Sequence, residues 1–131
     1  MKSWDYIPIE QLCTDIVDCL NRTAPVVEQV TPFKMIRTTN VRHGRLDLDN
    51  VKYVEESVYQ KWTRRLVPKR GDVILTREAP LGEVAILNSD DRVFLGQRTV
   101  MYRVNPEKCS SAFLFYSLRG PKCQAQISAF G

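Results

Sequence analysis

The stretch "GDVILTREAPLGEVAIL", residues 71–87, constrains the fold more than any other part of the chain. Two apolar, β-rich runs, Val73–Thr76 and Val84–Leu87, flank a polar tip that contains Pro80 and Gly82. Runs of this length bounded by turn residues read as the two arms of a hairpin. A hairpin needs only to turn at its tip, yet Arg77 and Glu78 stand there. Either they are solvated turn residues or the hairpin presents them to a partner.

Around this hairpin the chain alternates short strands with helices. Ile9, Leu12, Cys13, Ile16, Val17 and Leu20 fall at helical spacing and predict a helix. Residues 21–29 read as a loop broken by Pro25. Phe33–Val41 is β-rich and leads into a turn at His43-Gly44. Val54–Leu66 predicts an amphipathic helix with Val54, Val58, Trp62 and Leu66 inward, and Trp62 reads as a core anchor. Val93–Leu95 and Thr99–Val104 predict two strands about Gly96-Gln97-Arg98. Ser110-Ser111 can cap a helix through Phe113, Leu114 and Tyr116; Gly120-Pro121 ends it, and Lys122–Phe130 begins another. With no repeat or linker in 131 residues, the expectation is one domain, 1–131. Its class is α+β, a curved and mostly antiparallel sheet with projecting loops and flanking helices.

No membrane span is expected, since the longest apolar run is Ala112–Tyr116 and a span needs ~20 residues. Acidic residues Asp5, Glu10 and Asp15 stand where a signal peptide needs an apolar core, so the reading is cytoplasmic. Cys13, Cys19, Cys109 and Cys123 form no C-x-x-C pair and have a single histidine beside them. They read as free thiols in a reducing compartment, with no metal and no cofactor.

Catalytic patterns are missing. In a nuclease pattern with Asp72 and Glu83 as carboxylates, the lysine position is Ala85. Asn105-Pro106-Glu107-Lys108 shares only its first two residues with the amino-methyltransferase motif. There is no dinucleotide fingerprint, P-loop or nucleophile elbow, so the chain is not expected to be an enzyme.

The charges point elsewhere. Net charge is +4, with 12 arginines to 7 lysines. Lys61, Arg64, Arg65, Lys69 and Arg70 fall within ten residues free of acids. Lys34, Arg37, Arg42 and Arg45 bracket His43, whereas Asp47–Glu56 is acidic. Such clusters attract a phosphate backbone, and arginine pairs bidentately with guanine as asparagine and glutamine do with adenine. Asn40, Arg42, His43, Arg77, Gln97 and Arg98 stand at strand ends or tips. Singly, each reads as a surface or turn residue; together with the basic clusters they favour nucleic-acid binding.

Four segments in order carry a resemblance. "SWDYIPIEQLCTDIVD" resembles an opening tryptophan followed by a short leucine-containing helix. "FKMIRTTNVRHGRLDLDNVKYV" resembles a strand and turn of the form I-R-x-x-N-I-x-x-G-x-I. "RLVPKRGDVILTREAPLGEVAIL" is the closest match, and "FLGQRTVMYRVNPEKCSSAFLFYSL" resembles the following strand and helix. The chain resembles a target-recognition domain of the specificity subunit of type I restriction–modification enzymes.

That resemblance implies sequence-specific binding of double-stranded DNA at one half of a bipartite site, with loops 21–23, 38–45, 77–81 and 96–99 facing the duplex. Arg42, Arg77, Gln97 and Arg98 are implied base or phosphate contacts, then Asn40 and His43. Lys61, Arg64, Arg65, Lys69 and Arg70 would hold the backbone. The hairpin would be a rigid arm led by Arg77, and Glu78 would orient that guanidinium or accept from cytosine. Adenine methylation and ATP-driven cleavage would belong to methyltransferase (M) and restriction (R) subunits. The chain ends at "QISAFG", where the family continues to a helical spacer, so the expectation is half a subunit or a fragment. Self-association and docking of the methyltransferase would then be weakened. Two other readings remain: the recognition end of a single-chain restriction enzyme–methyltransferase fusion, and a protein-interaction module derived from the same fold.

Overall fold

Strand β6 (Val73–Arg77) is buried at four consecutive positions because the chain covers both of its faces. Val73 and Leu75 point one way, into a cluster with Leu114, Phe115 and Leu118 of helix α2 (Ser111–Arg119). Ile74 points the other way, to Ile36, Val93, Leu95 and Met101. This is the hairpin arm of the sequence reading, and it lies at the centre of the molecule.

A computed structural model describes residues 8–18, 22–78 and 81–130. Trp4, Cys19, Leu20, Asn21, Ala79 and Pro80 lie outside the described residues. The main sheet has the order β1-β9-β6-β7, formed by β1 (Cys13–Asp18), β9 (Thr99–Val104), β6 and β7 (Leu81–Ile86), all antiparallel to their neighbours. A second sheet, β5-β2-β8, packs on its inner face. It comprises β5 (Lys52–Val54), β2 (Phe33–Ile36) and β8 (Arg92–Leu95), and β2–β8 is the single parallel pairing in the described residues. Phe33, Met35 and Phe94 face outward from this sheet and pack with Tyr59 of helix α1 (Glu56–Trp62). The layers therefore run α2 and α3 (Pro121–Phe130), main sheet, second sheet, α1. The expected α+β class with mostly antiparallel pairing is the one observed, its strands divided between two sheets. No helix of the described residues is long and apolar enough to cross a membrane.

The N-terminal helix is corrected. Only Ile9–Gln11 winds, as a single 3-10 turn, and Cys13–Asp18 is an edge strand with alternating exposure. The apolar residues fit helical spacing, but Thr14, Ile16 and Val17 are β-branched and lose side-chain freedom in a helix. β9 offers a backbone ladder from Val104 to Val100 that outweighs local preference. Helix α1 is also shorter than predicted. Val54 belongs to β5, and Tyr59 is the buried residue, while Val58 and Trp62 are half-buried. The helix at Ser110 forms as read, with the Ser110 hydroxyl accepting from the Phe113 N–H at 3.0 Å.

A ribbon of β3 (Val41–Arg42) and β4 (Arg45–Leu46) lies against β7. His43 and Gly44 join its strands with φ of 54° and 75°, the two left-handed residues of a tight hairpin turn. Gly44 suits the turn through its φ of 75°, and a Cβ there would also require the flexible Arg119 guanidinium, 2.7 Å away, to shift.

Lys34 ties the second sheet to its loops, its Nζ bonding Asp91 at 2.8 Å. That bond holds the Asp91 carboxyl below its ordinary value. A carboxyl with a depressed folded value contributes stability above its unfolded pKa of about 3.9, and loses it as pH falls through the folded value. The melting temperature should therefore decline on acidification through this window, and less steeply in Asp91→Asn. Parallel curves for the two proteins would exclude Asp91 as a contributor.

Candidate nucleic-acid interface

Strands β1 and β6 both run antiparallel to β9, so their C-terminal ends lie together at the end where β9 begins. Asp18 ends β1 and Arg77 ends β6. The Arg77 Nη1 donates to Asp18 Oδ1 at 2.9 Å, with its side chain 58% exposed. The Arg77 backbone N–H donates to the Arg98 carbonyl at 2.8 Å. The Arg98 Nε in turn pairs with Glu78 Oε1 at 2.8 Å. Glu78 thus orients Arg98, not Arg77 as the sequence implied; Asp18, eighty residues before Arg98 in the chain, holds Arg77. The rigid-arm image changes too, because β6 is a central strand and only its exit reaches solvent.

The register of β6 against β7 shifts between Leu75 and Arg77. At that bulge the Thr76 hydroxyl accepts from the Glu83 N–H at 2.9 Å. A bulge re-aims the side chain beyond it, here Arg77. The Glu83 carboxylate also accepts from the His43 N–H at 3.0 Å, which fixes the β3–β4 turn at this same end of the sheet. His43 and Arg98 are the only non-glycine residues with positive φ among the described residues. A left-handed backbone outside glycine is sparsely populated and collects where a loop presents a side chain.

The basic run that begins in the last turn of α1 does not stay together. Lys61, Arg64 and Arg65 line a groove of about 290 Å³ with Arg22, Trp62, Val17, Leu66 and Asp18. Arg65 Nη1 approaches the Asp18 carbonyl at 3.5 Å. Arg22 and Lys61 lie over the Trp62 ring at 5.7 and 5.4 Å from its centroid. Trp62 is therefore a core anchor on one side and a groove wall on the other. Lys69 and Arg70 precede the other end of β6, whose four steps from Val73 to Arg77 span about 13 Å. Arg70 is held there by Asp90, through Nε at 3.1 Å and Nη2 at 3.2 Å, and by Asn88 at 3.0 Å.

Asn40 must be corrected. It is 2% exposed. Its Oδ1 accepts from Arg37 N–H at 2.9 Å, and its Nδ2 donates to the Asp47 and Asn50 carbonyls at 3.0 Å each. Every polar bond it can offer a base is already bound up in shaping the 37–50 loop. Arg42 is half-buried, and its Nη1 donates to the Thr38 and Val41 carbonyls at 2.7 and 2.9 Å, tying one edge of the guanidinium to its own turn. Gln97 is half-buried in the turn before β9, beside Arg98. Asp18 and Arg22 are not among the site residues read from the sequence, and the half-buried Trp62 reads there as a core anchor and not as a stacking surface. Arg22 alone had a signal there, its place in the loop at residues 21–23.

The carboxylates considered for catalysis stand apart. Asp72 precedes β6, and Glu83 faces Thr76 near the other end of that strand, about 13 Å away at strand rise. Both Asp72 oxygens bond Arg103, at 2.9 and 2.8 Å. Burial, and then the neighbouring Cys109, push the Cys13 thiol up to about 11, and burial raises Cys109. Both stay protonated and weakly nucleophilic at neutral pH. Among the described residues no group of three histidines, cysteines or carboxylates is placed to hold a metal ion.

The class defined here is one of architecture, a layered α+β scaffold whose main-sheet end carries arginine-bearing turns. Among solved structures, the chain is similar to the HsdS subunit from Thermoanaerobacter tengcongensis, with a TM-score of 0.56 at 15% identity. The match covers 86% of this chain and 26% of that one, so this chain spans about a quarter of its length. The fold is thus the one that the resemblance to specificity subunits implied. No family model and no curated sequence matches the chain.

Proposed function

We propose that the chain is the DNA-recognition part of a type I restriction–modification specificity subunit, reading one half of a bipartite site. The observation that carries this reading is the HsdS-like fold whose main-sheet end gathers Arg77, Arg98 and His43 beside the groove of Lys61, Arg64 and Arg65. In this reading Arg77, Arg98 and Gln97 meet base edges, with Arg42 and His43 at the margin. Lys61, Arg64 and Arg65 meet phosphates, which set register without reading sequence. Asn40 shapes its loop, and Lys69 and Arg70 stay off the duplex. Methylation and cleavage belong to M and R partner subunits in the cytoplasm, and this chain catalyses neither.

The test is a methylation map of a host genome before and after this domain replaces that of a type I subunit. A changed half-site is expected; an unchanged methylated motif would sink the reading. At residue level, Arg77→Ala should cost about 1–3 kcal/mol at one base position and relax specificity there. A uniform loss over all sequences would reassign Arg77 to a phosphate.

A further inference from the structure

We propose that the groove beside Trp62 is a binding site for a single unstacked nucleotide, its base on the indole and its phosphate among Arg22, Arg64 and Arg65. Duplex reading does not require such a site. Two hollows meet there, of about 290 and 320 Å³, and both are lined by Arg22, Lys61 and Trp62. Each is at the small end of ligand-sized clefts, which run from about 300 Å³ upward. The walls divide by chemistry. Val17 and Leu66 join Trp62 in an apolar part, while Arg22, Lys61, Arg64 and Arg65 supply four cations against the one carboxylate of Asp18. Asp18 is already drawn toward Arg77, at 2.9 Å. Anionic and flat is the description of a nucleotide.

The cations on the ring do not block it. Arg22 and Lys61 stand 5.7 and 5.4 Å from the indole centroid and are exposed to solvent. An exposed cation–π contact is worth about 2- to 5-fold in affinity. Stacking a base is worth roughly 5- to 150-fold. A base therefore displaces either side chain, and the released cation remains within reach of the phosphate. Stacking tolerates any base, so the site discriminates unpaired from paired nucleotides and not one base from another.

Trp4→Phe leaves Trp62 as the sole tryptophan, since the chain has two. Its fluorescence would be titrated with a single-stranded thymidine tetranucleotide and with an abasic tetranucleotide of equal charge. The first is expected to quench Trp62 and to bind at least about 5-fold tighter than the second. Trp62→Leu, read by competition with a labelled tetranucleotide, should equalise the two while leaving weak, salt-sensitive binding. Arg64→Ala with Arg65→Ala involves exposed side chains only; it should weaken both ligands alike and preserve their ratio. Equal affinities in the Trp4→Phe protein, or no change in its fluorescence, would overturn the proposal. The duplex reading stands or falls separately, on the methylated motif.

Discussion

Arg103→Met is expected to lower the stability of the domain by about 3–5 kcal/mol, measured by urea unfolding at constant slope. The cause is what the change leaves behind. Asp72 is 1% exposed, and its two oxygens accept from Arg103 Nε and Nη2 at 2.9 and 2.8 Å. One oxygen also accepts from the Lys69 N–H at 2.8 Å, and Arg103 Nη2 donates to the Val67 carbonyl at 2.8 Å. Removing the guanidinium leaves a buried carboxylate without its charged partner. The bond to Asp72 likewise holds the Arg103 pKa above its ordinary value, the signature of a charged form favoured by the fold. Arg103→Lys should fall between, because an ammonium keeps the charge and loses the two-pronged geometry. Arg70→Met is the contrast: its pair with Asp90 is exposed at 52% and 83%, and solvent screens it, so little change is expected. Equal losses for Arg103→Met and Arg70→Met would refute burial as the reason. The pair also ties down Val67 and Lys69, which belong to the segment that carries the basic run past the sheet.

How much of this was legible depends on whether a residue's neighbours were local. The 71–87 hairpin could be read because its two strands pair with each other and its turn residues lie between them. The His43-Gly44 turn was legible for the same reason, as was the Ser110 cap. Strand β1 was not, since its partner β9 begins some eighty residues later and its apolar spacing also fits a helix. The site follows the same rule. Arg77, Arg98 and His43 were found as tip residues, and the sheet brings all three to one end. Their partners were not found, because Asp18 meets Arg77 only after β1 and β6 are laid either side of β9. Asn40 misled because an asparagine in a polar loop looks the same in sequence whether its amide faces solvent or, as here, three backbone groups.

The same distinction yields the second large effect. Read as a string, Lys61, Arg64, Arg65, Lys69 and Arg70 are one basic cluster; folded, they are two groups separated by the length of β6. If the sheet end at Arg77 faces DNA, only the first group lies beside it. Replacing Lys61, Arg64 and Arg65 together by alanine should then reduce the slope of log affinity against log salt by about 2.7, at 0.9 for each phosphate no longer neutralised. The same accounting predicts a loss of roughly two to three orders of magnitude in affinity near 0.1 M salt, falling on all duplex sequences alike. Lys69→Ala with Arg70→Ala should leave slope and affinity nearly unchanged, since Arg70 is already neutralised by Asp90 at the far end. Fluorescence anisotropy with a labelled duplex over a salt series measures both variants. If the two replacements gave equal slopes, DNA would be sensing the net charge of the domain rather than a face of it. The strand end would then lose its claim to be the interface, whatever its arginines look like.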